Sequence, residues 1–256
     1  MAHPAARAYA AWAYTYRRVW RGSIAESFLN PALYLAAMGL GLGSYVKARG
    51  GGLHGVDYVT YIAPGVLAAT TMQVAAGEST WAVLGAIKWW KRYHAMLATP
   101  LRVRDVLLGH VGWMFTRVAI TAVVFFAVMV GFGTAPHPTS ALAVPAAVLT
   151  GMAFATPIAA FAARQESDSG FSTLFRFGLV PMFLFSGTFF PVSQLPGPLQ
   201  PVAWLTPLWH GVDLCRSLDL GTATAGMTAL HVCYLGALTV GGLALAERSY
   251  VKRLRV

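Results

Sequence analysis

Six stretches of this chain stay apolar long enough to predict membrane-spanning helices: residues 28–46, 58–77, 118–133, 141–163, 177–191 and 229–246. A helix rising 1.5 Å per residue needs about 20 such residues to cross a ~30 Å hydrocarbon core. The third and fifth stretches are short, and each follows an arginine, Arg117 and Arg176. Those two helices are therefore expected to begin before their arginines, whose side chains snorkel toward the headgroups. The pattern predicts an all-α integral membrane protein in one domain. Its parts are a surface segment over 1–27, a six-helix region over 28–246 and a basic cytoplasmic tail over 247–256.

Two segments carry a different periodicity. From Gly85 to Asp105, a helical wheel puts Lys88, Lys91 and Arg92 on one side and Trp89, Trp90, Tyr93, Met96 and Leu97 on the other. That predicts an amphipathic helix lying along a membrane surface, able to touch a soluble partner. From Ala8 to Arg21, Tyr9, Trp12, Tyr16, Val19 and Trp20 share a face opposite Arg17, Arg18 and Arg21, which predicts an interfacial helix before the first span. Between spans five and six the chain is apolar yet carries Pro191, Pro196, Pro198, Pro201 and Pro207. Prolines at that density exclude a regular spanning helix and predict a re-entrant or surface-lying outer hairpin, with Trp204 and Trp209 at the interface. Gly39 and Gly43 form a GxxxG pair in the first span, suited to close helix packing.

Composition agrees with a membrane class. The chain is 57% hydrophobic and 11% charged, with a mean hydropathy of +0.58. Its net charge of +10 would suit nucleic acid in a soluble protein, but here the position of the charges decides. With both termini inside, fourteen Lys and Arg fall in cytoplasmic segments, against three outside (Lys47, Arg49 and Arg216). The basic residues thus predict an N-in, C-in topology and a lipid bilayer, not nucleic acid, as the partner surface. The first apolar stretch has no small-residue cleavage site, so the first span is expected to be retained. Cys215 and Cys233 have neither metal nor disulfide spacing.

Candidate chemistry is sparse. Histidines are scattered without a metal-ligand spacing, and no nucleophile motif is present; no catalytic, cofactor-binding or metal residue is assigned. Glu78, Arg117 and Arg176 all fall near the cytoplasmic boundary, which predicts a structural ion-pair cluster rather than a midplane proton relay. His210 and Asp213, at i and i+3 on the outer side, form the only acid–base pairing that could serve a membrane enzyme. None of the four lysines follows a glycine, so the chain lacks a phosphate-binding P-loop. Uphill transport would then draw on a partner or an ion gradient. An ion-coupled secondary exporter and a lipid-modifying membrane enzyme are the alternatives.

The order of these features resembles the ABC-2 type permeases, in the branch of nodulation-factor exporter and daunorubicin-resistance permeases. The likeness is carried by Asn30-Pro-Ala-Leu-Tyr-Leu35 leading to Gly39–Gly43, and by Tyr61-Ile-Ala-Pro-Gly-Val-Leu67 leading to Glu78. It continues in Tyr93-His-Ala-Met-Leu-Ala-Thr-Pro-Leu-Arg102, in Phe185-Ser-Gly-Thr-Phe-Phe-Pro191, and in Pro207-Leu-Trp-His210 with Arg216. The resemblance implies a half-transporter in a bacterial cytoplasmic membrane. Two such chains, as a homodimer or a related heterodimer, would pair with two separate ATPase subunits that bind ATP and Mg. It implies that residues 86–100 dock on the ATPase, with Trp89, Trp90, Tyr93 and Met96 as anchors. Lys88, Lys91 and Arg92 would face either lipid headgroups or acidic ATPase residues. The segment 191–209 would correspond to the outer re-entrant element. The cargo expected is an amphipathic or hydrophobic molecule, such as a drug, a lipid or a lipo-oligosaccharide.

Overall fold

A computed structural model describes residues 4–18, 29, 32–38, 41 and 56–254, which are predominantly helical. In chain order the elements are α1 (Pro4–Tyr16), α2 (Tyr58–Ser79), α3 (Trp81–Ile87), α4 (Arg92–Leu97) and α5 (Val103–Gly131). A 3-10 turn (Pro138–Leu142) then leads into α6 (Ala143–Ala162). They are followed by α7 (Ser169–Phe185), α8 (Gln200–Leu205), α9 (Pro207–Asp219) and α10 (Ala225–Leu254). Four stretches are long and apolar enough to cross a membrane: Tyr58–Ile87, Val103–Gly131, Pro138–Ala162 and Ala225–Leu254. The chain is therefore a multi-pass membrane protein.

Most of the first predicted span, 28–46, lies outside the described residues; the stretch 32–37 is helical and Leu35 is fully buried. The third span starts at Val103 rather than near 118, so Arg117 sits mid-helix. Its start is set by Asp105, whose carboxylate accepts a 2.9 Å hydrogen bond from the Arg102 main-chain N–H, half of a capping box with an acid on the helix N-terminus. Hydropathy alone misses this first part because Arg104, Asp105 and His110 lower the average there.

The fifth predicted span, 177–191, is displaced toward the N-terminus. α7 starts at Ser169 and ends at Phe185, just before Gly187, which turns the chain at φ +80°. Leu174–Leu179 within it is π-helical. Pro181 explains this: it lacks an N–H and crowds the carbonyl four residues back, and one wider turn relieves both problems. At the C-terminus, α10 runs on through Leu254, so most of the predicted tail is helix.

α2 and α6 form the centre of the bundle, with 72% and 67% of their most apolar windows buried, against 39% for α5 and 22% for α10. The two outer helices keep broad faces uncovered by the rest of the chain. In such a setting close packing replaces hydrophobic drive. At Gly151 of α6, a Cβ would lie 2.6 Å from Val118 Cγ1 on α5 and 3.1 Å from the Thr71 carbonyl on α2. Gly109 does the same for α1, since a Cβ there would lie 2.5 Å from that of Ala8.

α1, the α3–α4 turn, the α6–α7 loop and the end of α10 meet at one end of the bundle through Arg92–Thr15, Lys88–Glu166, Arg253–Glu166 and Tyr93–Tyr250 contacts. This is the basic end. The start of α2 and the segment 186–206 lie at the other, where the Tyr58 hydroxyl reaches the Phe189 carbonyl at 3.4 Å.

Candidate functional site

The predicted amphipathic helix over the coupling residues is broken. α3 ends at Ile87, and Lys88, Trp89 and Trp90 form a turn. Lys91 sits in the left-handed region at φ 47°, and a separate six-residue helix, α4, follows. A left-handed non-glycine residue halts the helical rotation on which the wheel depended. The apolar face therefore divides. Trp89 and Trp90 project outward, 54% and 62% exposed, over Gly85, where a Cβ would meet the Trp90 ring at 2.8 Å. Tyr93 and Met96 turn inward and are buried in the chain, with Leu97 half-buried.

Tyr93 is the hinge pin of this end. Its hydroxyl hydrogen-bonds His110 Nδ1 on α5 and lies 3.2 Å from the Tyr250 hydroxyl on α10. The His110 ring stacks on Trp12 of α1 at 4.0 Å, nearly parallel. Arg92 closes the stack, with its guanidinium 4.3 Å from the Trp12 ring and 3.2 Å from Thr15 Oγ1. Complete burial pushes the Tyr93 phenol well above its ordinary pKa, so it stays a neutral donor. The aromatic face of α1 is thus spent on protein: Tyr9 and Tyr16 both lie against Trp113 of α5. The predicted interfacial helix is a docked brace.

A second clasp lies beside it. Lys88 Nζ donates to the Glu166 carbonyl at 2.6 Å and to its carboxylate at 3.0 Å. Arg253 of α10 donates to the other carboxylate oxygen. Those two donors hold the Glu166 carboxyl down to about 2. Lys88 is therefore engaged within the chain, and of the predicted basic face only Lys91 is left exposed with no ion pair among the described residues. Glu166 lies in the α6–α7 loop, and no local pattern joins it to residues far along the chain on either side.

Of the predicted ion-pair cluster, two members meet. Arg117 Nε lies 2.9 Å from Glu78 Oε1, and its Nη1 donates to the Tyr16 hydroxyl at 3.0 Å. Arg176 is exposed and takes no part, because the π-helical turn of α7 carries it outward. The Glu78–Arg117 pair forms one end of a cavity of about 1130 Å³ bounded by α2, α5, α7 and Leu33 and Tyr34.

At the opposite end, the proline-rich segment forms short turns and short helices rather than one long helix. Pro191 and Pro196 precede short 3-10 turns, and Pro207 opens α9, capped by Thr206, whose hydroxyl accepts from the Trp209 N–H at 3.3 Å. Arg216, predicted as an outer-loop charge, instead ties this segment to α2. Its guanidinium donates to the Tyr61, Gly187 and Thr188 carbonyls at 3.0, 2.8 and 3.2 Å. His210 does not contact Asp213 directly. His231 of α10 stands between them, 2.8 Å from His210 Nδ1 and 3.0 Å from Asp213 Oδ2. His231 thus bridges the two through its two ring nitrogens. This relay joins α9 to α10.

A multi-pass helical bundle with an amphipathic interior cavity, a braced aromatic turn at one end and a stitched hairpin at the other defines a membrane transport scaffold. The chain belongs to the ABC-2 type transporter family, which its residues 7–220 match. It is 30% identical over 232 residues to nodulation protein J of Rhizobium meliloti (strain 1021), covering 89% of this chain and 85% of that protein. The nodulation protein J of Rhizobium leguminosarum bv. trifolii is 32% identical over 237 residues, with 90% and 87% covered. The inner membrane transport permease YadH of Escherichia coli (strain K12) is 23% identical over 211 residues, with 80% and 78% covered.

Proposed function

We propose that this chain is the permease subunit of an ATP-binding cassette exporter in a bacterial cytoplasmic membrane. It would move an amphipathic or hydrophobic molecule outward with energy from ATP and Mg bound by a separate subunit. Two permease chains, alike or related, pair with two ATPase subunits. The chain has six spans, with both termini and the basic end in the cytoplasm. In support, the chain leaves α1 at the basic end and enters α2 at the opposite end, where Tyr58 meets Phe189. The basic end also gathers the residues that the positive-inside rule assigns to the cytoplasm.

The observation that carries the reading is the Trp89–Trp90 turn. Two large aromatics exposed on a tight turn make poor sense against water and good sense as an anchor in a partner's groove. The turn stands on Tyr93, and through it on α5, α10 and α1. A push on the tryptophans from a closing ATPase pair is thereby delivered to helices that border the cavity or lie across the bundle. Replacing Trp89 and Trp90 together with alanine tests this. A P-loop ATPase should co-purify with the wild-type chain from gently solubilised membranes and be lost, by about tenfold or more, from the double variant. Undiminished recovery of the ATPase would remove these residues from the interface.

A further inference from the structure

At the end of the bundle opposite the basic one, α9 and α10 are joined by the three-membered chain Asp213–His231–His210. His231 Nε2 lies 3.0 Å from Asp213 Oδ2, and the Nδ1 atoms of His231 and His210 lie 2.8 Å apart. The His210 ring stacks on the Tyr234 ring at 3.9 Å, and the Trp209 ring stands edge-on to both histidines. The Tyr234 hydroxyl donates to the Leu205 carbonyl at 2.7 Å. Together these contacts hold residues 205–210, the last part of the proline-rich segment, against α10. The permease reading gives the cluster no task.

Proton counting limits what this chain tolerates. Two ring nitrogens at 2.8 Å share one proton, whichever ring owns it. One further proton fits, because a charged His231 donates to Asp213 with one nitrogen and to His210 with the other. A second does not. Both Nδ1 atoms would then carry hydrogen, and two cations would face each other N–H to N–H. Among the described residues, the charged and titratable groups around the two rings are Asp213 and Arg216 on α9, Tyr61 on α2 and Tyr234 on α10. α8 contributes the Trp204 carbonyl, and Thr150 of α6, beside Gly211, is uncharged. Asp213 is thus the single anion in the cluster, and at 40% exposure it gives the chain its contact with water; the His231 side chain is 1% exposed. Burial, and after it the His231 charge, lowers the His210 pKa to about 4, with Asp213 and the Trp204 carbonyl opposing them. Released into water, the same ring titrates near about 6.5. The joint is therefore at full strength above about pH 6.5 and is lost as the pH falls through about 4.

We propose that the Asp213–His231–His210 chain is an acid-released latch, which holds residues 205–210 on α10 near neutral pH and lets them go when both histidines are protonated. The protons enter from water at Asp213. The permease reading decides only that this end faces outside; the latch itself depends on neither an ATPase nor a cargo.

Spin labels test this in the full chain, held in nanodiscs. One goes on the exposed Cys233 of α10 and one on Val202→Cys of α8, also exposed, while Cys215 is buried and stays unlabelled. Pulsed electron–electron double resonance should find one distance at about pH 7.5 and a longer one at about pH 4, its share rising about tenfold or more. His210→Phe keeps a ring on Tyr234 and removes the titration, so its distances should be the same at both pH values. His231→Gln, uncharged throughout, should behave alike, and where one variant fails to fold the other decides. Asp219→Asn, at the far end of α9, should leave the acid response in place. A wild-type distance that ignores pH overturns the proposal, and so does an acid response that survives in a folded histidine variant. Recovery of an ATPase plays no part in these outcomes, so the permease reading stands or falls by its own experiment.

Discussion

Tyr93 shows how much one hydroxyl can hold. It lies in a fully buried ring, shared between His110 and Tyr250, at the meeting of four helices. Tyr93→Phe keeps the ring and strips the hydroxyl, leaving the His110 nitrogen buried and unpaired, at a cost of about 1–3 kcal/mol. Thermal unfolding of the variant in detergent should show that loss, whereas Trp89→Ala, which removes only an exposed ring, should leave the midpoint nearly unchanged. Asp219 makes a separate case at the end of α9. Its carboxylate is buried, and burial, opposed only by the Ser140 hydroxyl, pushes its pKa up to about 6. The folded state thus holds the proton more tightly than the unfolded one, where an aspartate titrates at about 4. Its stabilising contribution is complete below about pH 4 and is lost as the pH rises to about 6, then stays flat. Asp219→Asn should abolish that slope in unfolding midpoints measured from pH 4 to pH 7; an identical slope in both proteins would show that another group is responsible.

Among the elements, α1 is the most instructive. Its aromatic stripe was legible in the sequence, and so was its amphipathic character. What the stripe covers was not. Tyr9, Trp12 and Tyr16 all contact α5, and Gly109 is the notch that lets the two backbones approach. A large side chain there has no room, so Gly109→Leu should release α1 from the bundle. Faster proteolysis after Arg17 or Arg18, with the spans intact, would report it, and unchanged protection would show that α1 is held elsewhere. The coupling segment teaches the reverse lesson. A helical wheel assumes unbroken rotation, and one left-handed residue, Lys91, cancels that assumption. Residues predicted to share a face then part, two toward solvent and two into the core. α7 departs from prediction for a similar reason, since the π turn before Pro181 alters which side chains point outward.

For the whole molecule, the turn at the basic end and the cavity are linked by contiguous contacts. Arg117 belongs to the cavity and also to α1, through Tyr16. α1 belongs to the joint, through Trp12 and His110. The Lys88–Glu166–Arg253 clasp ties the same turn to α10. Being exposed, that clasp contributes little to stability. The sequence by itself determined the class of the protein, the approximate places of its four long apolar helices and the crowding of positive charge into one set of segments. Those properties are sums over local composition, and a bilayer reads them locally. Only the tertiary structure decided which aromatic residues stay exposed and which face the core, that Glu166 joins two distant cations, that His231 stands between His210 and Asp213, and that Glu78 and Arg117 neutralise one another at the end of a cavity. Each of these depends on residues brought together from helices far apart in the chain, and no periodicity within one segment encodes the contacts of another.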